Sequence, residues 1–430
     1  MPNLFRAAAE GSRYANHRAI SAWTAPNIIA VLTGLSPFEQ GVHARGQSIQ
    51  AERDVFLEDL AANGWHVAGL QSFMAIDVFR NLGLTVKPKT DPFDWLTARS
   101  QAGKPFVLWH HYLNTHLPYA PSEEFRGPYR DLAEELDPAA RARLDVVQTA
   151  STIPTGTVDF EDGDIPAVRA LYLGGVAEFD TWFSTFWEFF NRSGLRDTTI
   201  LVVTADHGEE LFERGNVGHA STTRAGHLHE EILRIPLFIW WPGQHTGSII
   251  EDATDHTDIV PLLRRQLGLP SRQEAPDEDS YFAATSLSGY TEADPNQPSG
   301  FETALIQDGW KLRLRQLRDG PVVPHLYALE ADPAELHDLA TVRYADIADG
   351  ARLQWTGDPS GQYVVEYRAG EGPFALDGVL DVAGTTKDFG TVGEFYWRTW
   401  VVPYRQIRLR VMPEGRESLA SEWIELTLAP

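Results

Sequence analysis

The run from Val168 to Glu210 limits the fold more than any other part of the chain. VRALYLGGVAEFDTWFSTFWEFFNRSG is a long amphipathic stretch, LRD is a turn, and TTILVVTADHGEE packs β-branched and aliphatic residues without interruption before ending on acids and a histidine. A strand apolar on both faces belongs inside a sheet covered by helices on two sides. The same pairing recurs: a helical pattern near 54–63 precedes WHVAGL, another precedes KPFVLWHHYL, and LRIPLFIWW ends at Pro242-Gly243. The expected fold class is α/β, a mainly parallel sheet sandwiched by helices.

The N-terminus, MPNLFRAAAEGSRY, reads as a short helix stopped by Gly11, with no leading strand and no secretory apolar region. That points to a cytoplasmic protein, exported only if a signal lies upstream of Met1. DHTDIVPLLRRQLGLP reads as a capped helix ended by Gly268 and Pro270. From about 300 the pattern changes to GWKLRLRQL and PHLYALEADPAELHDLA, a small antiparallel subdomain. Beyond 348, RLQWTGDPSGQYVVEYRAG and its successors read as short strands of a β-sandwich with Trp355 and Tyr367 as core aromatics. The expected domains are therefore 1–345, with 245–345 as its small C-terminal part, and 348–430, joined near 340–350.

With 36 basic against 60 acidic side chains, the net charge of −24 excludes a general affinity for nucleic acid or anionic lipid. Any anionic substrate must be held locally. The absence of cysteine excludes disulfides, zinc-thiolate sites and thiol nucleophiles. No run approaches the roughly 20 apolar residues of a membrane span.

At the end of the TTILVVT run, Asp206 and His207 place a hard oxygen donor beside an imidazole, a pair that can turn toward one cation or serve as a capped turn. Thr24, two residues before Pro26, puts a hydroxyl at a helix start, where it can act as an N-cap or as a nucleophile beside unsatisfied amides. His110, His111 and His116 follow one strand, and His219, His227 and His229 follow the acid-histidine pair, so two loops hold six of the 14 histidines.

Taken in order, MPNLFRAAAEGSRY, WTAPNIIAVLTGLSPFEQGV, KPFVLWHHYLNTHLPYAP, DTTILVVTADHGEELFERGNVGH, HEEILRIPLFIWWPG, DHTDIVPLLRRQLGLP and LYALEADPAELHDLA resemble successive segments of the sulfatase family of the alkaline phosphatase superfamily. The resemblance covers nearly all of residues 1–340. It implies an alkaline phosphatase-like fold and a hydrolase of sulfuric or phosphoric esters, with a small-molecule or glycan/lipid ester as substrate. It puts Thr24 at the nucleophile position, and makes Thr24, Asp206 and His207 ligands of one divalent ion: calcium, magnesium, manganese or zinc. His116 and His219 take the places of groups that bind the transferred anion or protonate the leaving oxygen, with Asn114, His227 and His229 lining the substrate pocket. An inactive binding or scaffold protein, or a phosphodiesterase or phosphotransferase of the same superfamily, is the alternative.

Three departures from the family pattern stand out. The family's first strand, with its acidic metal ligands, precedes the helix on which this chain opens. Threonine replaces the Cys or Ser that becomes formylglycine, which favours the branches that attack phosphorus directly. Asn27 and Ile28 stand where the family has Ser and Arg, so a charged clamp would have to come from elsewhere, such as Arg45 or Arg224. Asp180 matches a second-metal position only loosely and is expected to be a helix-surface or capping residue. Residues 348–430 loosely resemble a fibronectin type III module.

Overall fold

The structure is a computed structural model that describes residues 1–42, 47–50, 55–153, 157–219, 227–270, 280–286, 300–317, 322–340, 352–354, 362–369, 376–383, 386–388, 406–413 and 424–427, the last six groups as strand backbone. It divides into two units, Met1–Thr303 with Leu317–Gly320, and Ala304–Gln316 with Pro321–Pro430.

In the first unit a sheet runs in the order Leu201–Thr204, Leu237–Trp240, Ser12–Arg18, Ser248–Asp255. The first two joins are antiparallel and the last is parallel. A second, wholly parallel sheet orders Thr85–Val86, His66–Gly69 and Phe106–Trp109. The apolar runs legible in the sequence fall on these strands.

The Ser12–Arg18 strand was not expected. Its sequence, SRYANHR, is polar because its side chains bond inside the protein. Ser12 Oγ accepts from Ser248 Oγ at 3.1 Å, and His17 Nδ1 lies 3.0 Å from Thr254 Oγ1. Arg18 donates Nε and Nη2 to the buried Glu230 carboxylate, at 3.2 and 3.0 Å. A charge buried this deeply is tolerable only when paired and hydrogen-bonded.

The long helix Ile165–Arg192 lays an aromatic stripe over the first sheet, where Phe183, Phe238 and Trp240 form a core with Leu4 and Ala7. The opposite face is covered by Val31 from the helix Thr24–Thr33 and by Ile259 and Leu263 from the helix Ile259–Gln266. The short helix Pro2–Ala8 is docked by Asp180, whose two oxygens accept from the backbone N–H of Asn3 and Leu4 at 3.0 and 2.9 Å. Asp180 is therefore a cap supplied from another helix, and it is 3% exposed rather than on the surface.

The helix Ile259–Gln266 is preceded by Asp255, whose Oδ1 accepts from Thr257 N and Oγ1. Burial, with Asp258 alongside, pushes the Asp255 carboxyl up to about 7. Because the folded value is raised, the stabilising protonated form is complete below the ordinary carboxylate range and is lost as pH rises toward 7. Asp255→Asn is expected to flatten the fall in melting temperature between pH 5 and 8, as scanning calorimetry would record. An unchanged slope would remove Asp255 as its source.

In the second unit, Trp310–Leu317 and Val322–Ala328 form an antiparallel hairpin, and Lys311 and Glu335 make a fully buried ion pair at 3.0 Å. Further along, a four-stranded antiparallel sheet orders Leu376–Ala383, Gln362–Ala369, Gln406–Pro413 and Ile424–Thr427, while Arg352–Gln354 pairs with Thr386–Asp388. A β-rich C-terminal part is thus present, and nothing confirms a fibronectin type III module. Trp355 and the 340–350 linker region lie outside the described residues, apart from Ala340 itself.

Candidate active site

Thr24 is the first residue of its helix, and Trp23 holds the capping position. Of the two readings of Thr24, the N-cap does not hold, and the helix begins two residues before Pro26. The helix therefore leaves the hydroxyl unspent on capping, and Oγ1 lies 3.3 Å from His207 Nε2. The same hydroxyl helps to hold the Asp206 carboxylate ionised. One proton thus faces two acceptors.

The acceptor state of His207 follows from its other nitrogen. Nδ1 stands 2.7 Å from the Gly208 carbonyl oxygen, which can only accept, so Nδ1 carries the proton and Nε2 presents a lone pair to Thr24. Burial, helped by His219, pushes His207 below the ordinary imidazole value against the pull of Asp206, so the ring is neutral. Burial works against the Asp206 charge, yet the surrounding imidazoles of His207, His111 and His219 and the Thr24 hydroxyl hold its carboxyl well below the usual range. Gly208 is required here: a Cβ would stand 1.9 Å from the Glu231 carbonyl oxygen.

Two further imidazoles extend the cluster. The His219 ring lies 4.1 Å from that of His207 and 5.0 Å from that of His116. His219 Nδ1 is 2.7 Å from Glu209 Oε1, and His116 Nδ1 is 2.5 Å from the Leu117 carbonyl. Burial depresses His219 to about 3 and raises Glu209 to about 7.

Asn27 holds Thr24 from behind. Its Oδ1 accepts from Ile20 N and Ser21 N at 2.9 and 3.1 Å, and its Nδ2 donates to Ser21 O and Trp23 O at 2.8 and 3.0 Å. His256 then ties this loop to the next, with Nδ1 3.2 Å from Asn27 Oδ1 and Nε2 3.0 Å from the Ala205 carbonyl. Ile28 is fully buried in the core and offers no clamp. Arg45 and Arg224 lie outside the described residues.

The structure thus brings together Thr24, Asp206, His207, His116 and His219. Asn114 is exposed on the loop after Phe106–Trp109 and lines the same large cavity as Thr24, Asp206 and His207. His227 and His229 pack on each other with rings 5.5 Å apart. Glu209, His111, Asn27 and His256 belong to the site's surroundings, and sequence reasoning gave them no role. Glu209 follows the Asp206-His207 pair and was legible by position, whereas His256 comes from a segment that reads only as a helix start.

This is an α/β sandwich with a hydroxyl-bearing helix start facing an acid-imidazole pair at strand ends, and solved structures share the fold. A phosphonate monoester hydrolase of Agrobacterium radiobacter matches with a TM-score of 0.57 at 19% identity, over 80% of this chain and 88% of that one. The fold is alkaline phosphatase-like.

Residues 90–269 match the sulfatase family model. Among curated relatives, a multifunctional alkaline phosphatase superfamily protein of Trinickia caryophylli is 25% identical over 56% of this chain and 53% of its own length. A choline-sulfatase of Rhizobium meliloti (strain 1021) is 25% identical over 56% and 47%. The chain spans about half the length of these curated relatives.

Sulfatase-family members are in general metal-dependent. Here Thr24, Asp206 and His207 offer one carboxylate, one imidazole and a neutral hydroxyl, where a catalytic zinc takes three imidazole, carboxylate or thiolate ligands and calcium takes about six or more oxygens. Among the described residues no group of three or more His, Asp or Glu side chains is arranged to hold a metal. These residues alone do not make a cation site. No helix of the described residues is long and apolar enough to cross a membrane.

Proposed function

We propose that this chain belongs to a hydrolase of sulfuric or phosphoric esters in which Thr24 is the nucleophile. The observation that carries the reading is the Thr24 Oγ1 to His207 Nε2 approach of 3.3 Å, with the proton of His207 already committed to the Gly208 carbonyl. The helix start adds its amide dipoles at the position where the anion would bind.

Of the two acceptors facing Thr24, His207 is the more basic, since Asp206 is held strongly ionised. The Oγ proton passes to His207 Nε2 as Oγ bonds to the phosphorus or sulfur and the bond to the leaving oxygen breaks. The departing alcohol takes a proton from the imidazole cluster. A depressed His219 is a poor acid at neutral pH, which favours His116. Water then cleaves the ester on Thr24 and regenerates the hydroxyl. The substrate is a small-molecule or glycan/lipid ester, and the choline-sulfatase relative makes a sulfate monoester the first to try.

The test is covalent. Incubation with 4-nitrophenyl sulfate or phosphate in the presence of magnesium, calcium, manganese or zinc, then acid quench and peptide mapping, should find the transferred group on the peptide bearing Thr24. Turnover with the label elsewhere, or with none, would overturn the assignment. A second reading, an inactive binding protein, is favoured by the incomplete donor set. Ester binding without turnover under every metal would select it.

A further inference from the structure

The helix Ile165–Arg192 carries two adjacent glycines, Gly174 and Gly175, in its interior. Glycine is the poorest helix former after proline, and neither residue takes the left-handed angle that glycine alone adopts freely. What requires them is close approach. A Cβ on Gly175 would stand 2.3 Å from the Asn114 carbonyl oxygen, and one on Gly174 would stand 2.8 Å from the Phe125 carbonyl oxygen and from the Pro121 ring. A carbon sits about 3.3 Å or more from a carbonyl oxygen, so a methyl group at position 175 would displace that oxygen by about 1 Å.

The segment resting on these glycines is the one that brings His116 into the site. Its aromatics press it onto the same helix at both ends: the Tyr112 ring meets Phe179 and Trp182 at 5.1 and 5.5 Å, and the Tyr119 ring meets Tyr172 at 5.5 Å. Between these anchors His116 N donates to Leu113 O at 3.0 Å and closes a turn over Asn114 and Thr115. The Asn114 carbonyl is where this turn meets helix backbone. With both flanks packed, a displacement of about 1 Å is absorbed within the turn, where His116 lies.

We propose that Gly175 is a positioning residue: its missing side chain sets the height of the Asn114–His116 turn above the helix, and with it the reach of His116 to the leaving oxygen. This rests on the reading of His116 as the group that protonates the departing alcohol. As the bond from phosphorus or sulfur to the leaving oxygen breaks, the proton passes from the His116 ring to that oxygen. A turn held about 1 Å away leaves the oxygen to depart as an anion. The cost then falls on alkyl esters, because 4-nitrophenolate is stable enough to leave without a proton. Thr24, Asp206 and His207 stand on other segments, so the attack on the ester is unchanged.

The test compares the 4-nitrophenyl ester with the cyclohexyl ester of the same acid, sulfate or phosphate, using the whole chain and the metals named above. Gly175→Ala should lower turnover of the cyclohexyl ester about a hundredfold and that of the 4-nitrophenyl ester less than about tenfold. Gly174→Ala, whose methyl group meets Pro121 and Phe125 beyond the turn, should lower both by similar small factors. Thr115→Gly loosens the same turn without touching the helix, and it should reproduce the selective loss. Equal losses on the two esters in Gly175→Ala, or in Thr115→Gly if the first variant does not fold, overturn the proposal. So does the same selectivity in Gly174→Ala. A parent that turns over neither ester removes the proposed function and this inference with it, whereas turnover labelled at Thr24 without the selective loss removes this inference alone.

Discussion

Thr24→Ala is expected to lower turnover of the labelled ester by about a thousandfold or more, while Thr24→Ser stays within about tenfold of the parent. The asymmetry follows from the local geometry. Thr24 makes no capping bond, so its hydroxyl contributes little to holding the helix, and alanine is a good helix former. Melting temperature should therefore barely move while turnover collapses. Serine retains the oxygen at the same distance from His207 and loses only a methyl group. Retained turnover in Thr24→Ala would end the nucleophile assignment, and parallel loss of folding would reduce Thr24 to a structural residue.

Asn27→Ala should have the largest effect on stability. It strands the backbone N–H groups of Ile20 and Ser21 and the carbonyls of Ser21 and Trp23, in a residue that is fully buried. Each buried group left without a partner costs about 1–3 kcal/mol, so a total of about 3–5 kcal/mol is expected after partial rehydration. Denaturant titration would measure it. Turnover should fall as well, since the four bonds fix the loop that ends at Thr24. Asn27→Asp keeps the acceptor and loses both donated bonds, and it should fall between the parent and Asn27→Ala. A normal midpoint for Asn27→Ala would mean that the loop is held by something other than this amide.

The sequence made some of this legible and hid the rest for identifiable reasons. Phe106–Trp109, Leu201–Thr204 and Leu237–Trp240 declared themselves because strands covered on both faces are apolar without alternation. Ser12–Arg18 did not, because Ser12, His17 and Arg18 are satisfied by Ser248, Thr254 and Glu230, all more than 200 residues away. Asp206 and His207 could be paired because they are adjacent. His256 could not be linked to Asn27, because only the folded loops bring a helix-start histidine to an amide 229 positions earlier. Thr24 could be placed at a helix start, but one residue off: an N-cap and a first helical residue look alike in sequence, and only the backbone shows that Trp23 takes the cap.

The docking of the short first helix by Asp180 has a consequence for synthesis on the ribosome. A seven-residue helix is too short to persist in water by itself. Its cap arrives only with residue 180, and the strand that follows it waits for partners at Leu237–Trp240 and Ser248–Asp255. This segment is thus among the last to settle. At about 5–20 residues per second, the Thr24 loop spends some ten seconds or more without its native neighbours. The Thr24 hydroxyl takes its place only when most of the first unit has been made.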